Sequence, residues 1–131
     1  MASVIVLDAS VLIAYLDADD AAHAKAEQLL ANEVDDNFAA STVTLAEVLV
    51  APARYGRLSQ AQAALSDLEV AELTFPPDSA VRLARLRVST GLKMPDCCVL
   101  LAAQSTGARV GSFDAALLRA ARQLGIAVAG G

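Results

Sequence analysis

The chain has no tryptophan, one histidine, two cysteines and only 4% aromatic residues. Its five aromatic side chains (Tyr15, Phe38, Tyr55, Phe75 and Phe113) are too few and too scattered to form a platform on which bases stack in succession. A lone imidazole, His23, has no second ligand near it in sequence, which argues against a zinc site. Cys97 and Cys98 are neighbours, and neighbours cannot close an unstrained structural disulfide. That cysteine usage predicts a reduced, cytoplasmic protein. Long apolar runs are missing too. Val4–Leu7 and Val11–Leu16 are separated by Asp8 and Ser10, whereas a membrane span needs about 20 apolar residues. The first Lys or Arg is Lys25, so the basic start of a secretory signal is not expected here.

What is present is an apolar, mildly acidic chain of 131 residues, 56% hydrophobic, with a net charge of −5. This composition excludes a solvated coil. The length fits one domain over 1–131, with roughly two-thirds of the unfolded surface buried on folding. An acidic balance argues against nucleic acid as a partner, because phosphate contacts call for Lys and Arg. The charge is divided unevenly, however. Residues 1–53 hold nine acids and one base (−8), and residues 54–131 hold six acids and nine bases (+3).

Strand and helix patterns alternate along the chain. Val4–Leu7 reads as a buried strand, Val11–Leu16 and Ala21–Ala31 as helices, and Asn37–Ala40 as a second strand. Thr42–Arg54 reads as a helix, and Ser59–Gln62 as a capping box opening another through about Leu68. Val70–Phe75 alternates as a strand and stops at Pro76–Pro77. Asp78 is placed to cap a helix over Ser79–Thr90 ending at Gly91, and Pro95 to open one through about Ser105 ending at Gly107. Arg109–Gly111, Ala115–Gln123 and Ile126–Val128 read as strand, helix and strand. The pattern predicts an α/β fold, a three-layer α/β/α arrangement with a mostly parallel central sheet of about five strands. Sites in such folds lie beyond the carboxyl ends of the strands.

Four acids map to that end. Asp8 follows the first strand, Asp114 follows the strand Arg109–Gly111, and Glu47 and Asp96 lie in the early turns of helices. Such a set suits a hard divalent cation, which takes oxygen ligands and leaves positions for substrate phosphate. Each acid also has a purely structural role open to it. Asp8 and Asp114 could cap helices, Glu47 could pair with Thr44 in a capping box, and Asp96 could favour the positive end of its helix.

The segments around these acids resemble the PIN domain, and within that family the short VapC-type toxins of bacterial toxin–antitoxin pairs. VIVLDASVLIAYL (4–16) is similar to the opening strand, first acid and helix. STVTLAEVL (41–49) is similar to the segment with the glutamate, MPDCCVLLAA (94–103) to the helix start with the third acid, and VGSFD (110–114) to the strand end with the last. The resemblance spans essentially the whole chain in order. It implies a ribonuclease dependent on Mg²⁺ or Mn²⁺, with Asp8, Glu47, Asp96 and Asp114 as both catalytic and metal-binding residues. It further implies a homodimer neutralised by a small VapB-like antitoxin that places a basic side chain among the acids. Ala116 departs from the pattern, since many relatives carry another acid there, and one resting ion is expected rather than two.

On this reading Asp8, Asp96 and Asp114 hold the ion and Glu47 completes the shell or orients the attacking water. Attack by water rather than by the ribose hydroxyl predicts 5′-phosphate and 3′-hydroxyl products. Ser10 and Ser112 could orient the carboxylates, and Arg82, Arg85, Arg87 and Lys93 could form an RNA-backbone track or simply a solvated face. Cys97 and Cys98 read as packing residues, and Leu45, Val48 and Leu49 as either core or a partner groove. A phosphatase or receiver-like phosphotransfer domain also places an acid after its first strand, but Ser10 and the single Asp8 depart from those two patterns. A non-catalytic PIN-like binding module is the other alternative.

Overall fold

The computed structural model describes residues 3–130. Four short strands, β1 (Val4–Leu7), β2 (Asn37–Ser41), β3 (Ala71–Leu73) and β4 (Arg109–Gly111), form one sheet in the order β3-β2-β1-β4. Every pairing is parallel. The connections run through α1 (Ala9–Leu16) and α2 (His23–Asn32), α3 (Thr42–Arg54) and α4 (Leu58–Asp67), and α5 (Ser79–Thr90) and α6 (Met94–Thr106). A final helix, α7 (Ala115–Gln123), follows β4.

The side-chain alternation of β1 divides the core into two. Ile5 and Leu7 join a cluster with Val11, Leu12, Ala26, Leu30, Phe38, Val48 and Leu65, contributed by α1–α4 and β2. Val6 faces the opposite way and joins Leu86, Leu100, Val110, Leu117 and Ala121, from α5–α7 and β4. Successive strand residues point to opposite faces, so a strand apolar throughout must be covered on both. The result is the expected α/β/α layering.

The sheet has four strands among the described residues rather than about five. Val128 makes only an isolated parallel bridge to Val110, with hydrogen bonds from Val110 N to Ala127 O (2.9 Å) and from Ala129 N to Val110 O (2.8 Å). The segment Ile126–Val128 thus adds to the sheet at a single point. Two helix starts also differ from expectation. α4 begins at Leu58, with Ser59 inside its first turn and no side chain capping it. Asp78 stands at the cap of α5 but in a left-handed conformation (φ 64°), where its side chain makes no capping bond. Gly91 and Gly107 end α5 and α6 in the left-handed conformation.

Gly111 fixes how closely β4 approaches β1. A Cβ at this position would stand 2.9 Å from Leu7 Cδ2 and 3.2 Å from Ile5 Cγ2. At the amino end of the sheet, Arg109 pairs with Glu33 (3.0 Å) and Asp36 (2.6 Å), tying β4 to the α2–β2 connection. The Ser3 hydroxyl donates to Asp36 Oδ1 at 2.8 Å. The Ser3 hydroxyl first, then hydrogen bonding with Glu33 and the Ser3 backbone, and last the Arg109 charge hold the Asp36 carboxyl below the usual range against the opposing effect of burial.

Candidate metal centre

At the opposite, carboxyl end of the sheet a cavity of about 240 Å³ is lined by Asp8, Glu47, Asp96 and Asp114. Thr44 and Lys93 line it as well. Parallel strands explain the convergence: β1 and β4 both end here, so the residues after them emerge side by side. Asp8 N donates to Gly111 O at 3.1 Å and continues that pairing.

Asp8 is buried and held on both oxygens. Oδ1 accepts from the Ser10 hydroxyl (2.6 Å) and from Val11 N (3.2 Å), and Oδ2 accepts from the Ser112 hydroxyl (2.5 Å). The two hydroxyls are fixed in turn, because Ser10 Oγ accepts from Phe113 N (3.0 Å) and Ser112 Oγ from Asp114 N (2.9 Å). Burial pushes the Asp8 carboxyl up, and the Ser10, Ser112 and Val11 donors partly offset that rise. Asp114 lies at the start of α7, where Oδ1 accepts from Ala116 N (2.8 Å) and Leu117 N (3.2 Å). Both aspartates therefore cap helices and line the cavity at once, so the structural roles open to them coexist with a site. Glu47 sits in the second turn of α3, whose cap is Ser41 and not Thr44. Asp96 lies in the first turn of α6 and is pushed up first by burial, then by the charges of Asp114, Asp8 and Glu47.

Two further residues line the cavity: Thr44, which the sequence offered only as a helix cap, and Lys93, which it offered only as one of four basic residues. Thr44 is fully buried one turn before Glu47 on the same helix face, a spacing that could have marked it. Lys93 is the residue before α6 and lies three before Asp96. Of the basic cluster Arg82, Arg85, Arg87 and Lys93, only Lys93 lines this cavity. Arg87 turns back to donate to Leu92 O, and neither Arg82 nor Arg85 lines the cavity. Cys97 and Cys98 are buried in the core, and Val48 is buried between the core and the neighbouring groove. Phe75, by contrast, is 41% exposed.

The donor set fits a hard cation. It consists of oxygens only, and the four carboxylates are close enough that three of them raise the pKa of the fourth. Among the described residues, no three His, Cys, Asp or Glu side chains stand close enough to grip one ion together. Ionised carboxylates repel one another, and Mg²⁺ keeps several waters, so carboxylates that ring a cavity suit it without all being direct ligands.

Glu47 also borders a second cavity of about 390 Å³ between α1, α3 and α4, where Ile13, Leu16, Val48, Ala51 and Tyr55 give an apolar lining. No helix among the described residues is long and apolar enough to cross a membrane.

Solved structures share this fold. A chain of a toxin–antitoxin complex from Klebsiella pneumoniae is 27% identical, with a TM-score of 0.69 over 84% of this chain and 86% of that one. VapC20 of Mycobacterium tuberculosis, described as a toxin that cleaves the sarcin–ricin loop, is 20% identical, with a TM-score of 0.73 over 88% and 94%. A chain of the VapBC2 complex of Rickettsia felis, bound to a DNA fragment from its promoter, is 14% identical, with a TM-score of 0.68 over 95% and 96%. A search of curated protein sequences finds no match to this chain. The PIN domain model matches residues 5–123, and with nine-tenths of its length so matched, this chain belongs to the PIN domain family.

Proposed function

We propose that this chain is a Mg²⁺-dependent endoribonuclease, the toxin of a toxin–antitoxin pair, and that residues 1–131 form one nuclease domain. The observation that supports this most is the single cavity lined by Asp8, Glu47, Asp96 and Asp114 at the carboxyl end of a PIN-family sheet. Asp8, Asp96 and Asp114 would hold the ion directly or through water, and Glu47 would complete the shell or orient the attacking water. Mg²⁺, or Mn²⁺ in its place, would supply a nucleophile at neutral pH and neutralise charge on the scissile phosphate. Ser10 and Ser112 hold both oxygens of Asp8, and the bonds from Ser112 to Asp8 and from Phe113 N to Ser10 tie the end of β1 to the segment after β4. The acidic total is consistent with an RNA substrate, because four of the acids face a site that takes a cation before phosphate approaches.

The apolar groove beside Glu47 suits a small antitoxin that would lay an apolar segment along α1, α3 and α4 and bring a basic side chain toward the acids. The toxin–antitoxin assemblies among the solved neighbours support such a partner. We read the chain as a cytoplasmic homodimer. Val81 and Val88 on α5 are exposed apolar side chains of the kind that a second copy would cover.

Incubating the purified chain with RNA and Mg²⁺ or Mn²⁺ tests the proposal. Fragments with 5′-phosphate and 3′-hydroxyl ends are expected, their formation is blocked by chelator, and Asp96→Asn should be inert. Hydrolysis of a small phosphoester without cutting RNA would favour a phosphatase. Inertness toward both, after removal of any bound partner, would favour a binding module.

A further inference from the structure

Four carboxylates around one cavity pose a problem for any anionic substrate. A single divalent ion offsets two of their charges, and the remaining negative field opposes the approach of a polyanion. Lys93 is the one cation among the residues that line the cavity. It is exposed, it stands immediately before α6, and its backbone O accepts from Cys97 N at 3.1 Å, which fixes the start of the helix that carries Asp96. Its side chain caps nothing, and among the described residues it makes no ion pair. The other basic residues of this stretch are placed elsewhere, Arg87 on Leu92 O and Arg82 and Arg85 away from the cavity.

We infer that Lys93 binds an RNA backbone phosphate at the rim of the carboxylate cavity and positions the strand for cleavage; this rests on the ribonuclease reading above. An ammonium on a flexible stem suits this place, since it offers a point charge to a phosphate without demanding one geometry. It lies three positions before Asp96, which puts the two on one side of the helix start. Its field reaches that carboxylate and opposes the rise that the other acids cause. Lys93 thus carries the charge that lets a phosphate approach without adding a ligand to the ion.

The test measures binding of a labelled single-stranded RNA by the full chain in Ca²⁺, as a function of salt, and cleavage in Mg²⁺. Lys93→Ala should weaken binding about tenfold and lower the log–log salt slope by about 0.7, the share of one phosphate contact on a single strand. Lys93→Arg should restore both. Lys25→Ala, the same charge change on the exposed face of α2, should behave as wild type. Mn²⁺ affinity without RNA should hold or tighten in Lys93→Ala, because a neighbouring positive charge is removed. An unchanged slope in Lys93→Ala while wild type cuts RNA overturns the role of Lys93 and leaves the ribonuclease reading standing. Loss of Mn²⁺ affinity in Lys93→Ala, or failure of Lys93→Arg to restore the slope, also overturns it, by showing a structural role. A wild-type chain that neither binds nor cuts RNA in Mg²⁺ or Mn²⁺ overturns both.

Discussion

Ser112 joins the Asp8 carboxylate to the backbone of Asp114: its hydroxyl donates to Asp8 Oδ2 at 2.5 Å and accepts the Asp114 backbone N–H at 2.9 Å. Both groups are at the end of adjacent parallel strands, so one short side chain sets their relative position. Ser112→Ala leaves a buried carboxylate oxygen and a backbone N–H without that partner. A loss of about 1–3 kcal/mol in denaturant unfolding and a fall in cleavage of roughly 10–100-fold are expected. Ser112→Thr keeps the hydroxyl and should retain most of both.

Asp114 separates the capping role from the chemical one. Asn caps a helix about as well as Asp, so Asp114→Asn should keep the melting temperature within about 2 °C while abolishing cleavage. Asp114→Ala should lose cleavage and also about 1 kcal/mol of stability through the lost bonds to Ala116 N and Leu117 N. Cleavage by Asp114→Asn at the wild-type rate would remove Asp114 from the site.

Asp96 gives a pH-dependent signature. Burial and the three neighbouring acids raise its folded pKa above the unfolded value. Its contribution to stability is therefore fully present below the unfolded pKa and is lost as pH rises through the folded one. In chelator at pH 7, Asp96→Asn should melt about 2–5 °C above wild type, because it removes an ionised group from a repulsive setting. The gap should shrink as pH falls through the folded pKa of Asp96. Comparing only this pair cancels Asp36, whose lowered pKa acts in the opposite sense: its contribution is present above the unfolded pKa and lost as pH falls through the folded one.

Metal should reverse that order. An ion that binds only the folded chain stabilises it by RT ln(1 + [L]/Kd), about 2.7 kcal/mol at a hundredfold excess over Kd. Wild type should then melt above Asp96→Asn in saturating Mn²⁺, and the gain should grow with concentration. A wild-type melting temperature indifferent to Mg²⁺ and Mn²⁺ up to millimolar levels would count against a metal centre.

Gly111 tests the fold independently of the site. The crowding of its missing Cβ by Leu7 and Ile5 predicts that Gly111→Ala destabilises by about 1–3 kcal/mol. Thermal or urea unfolding measures it directly.

Most of the architecture was legible because local chemistry and global fold agree. The all-apolar run of β1 requires cover on both faces, and Ser41, Gly91 and Gly107 act as the helix boundaries that their residue types suggest. Where local signals failed, tertiary context had overridden them. The chain turns left-handed at Asp78, and α4 starts one residue before its apparent capping box. After Gly125 the chain meets β4 at a single bridge, which a short β-branched stretch does not distinguish from a full strand.

The sequence by itself determined which acids follow strands and open helices, because hydrophobic period and capping are local properties. It could not decide whether those roles exclude a site; folding showed that Asp8 and Asp114 cap helices and line a cavity together. Nor could it separate Lys93 from three nearby arginines, which share its charge and differ only in where α5 and α6 aim them. Convergence across residues 8, 47, 96 and 114 is set by parallel pairing over long sequence separations, and only the assembled sheet brings those carboxylates to one cavity, where they feel one another's charge.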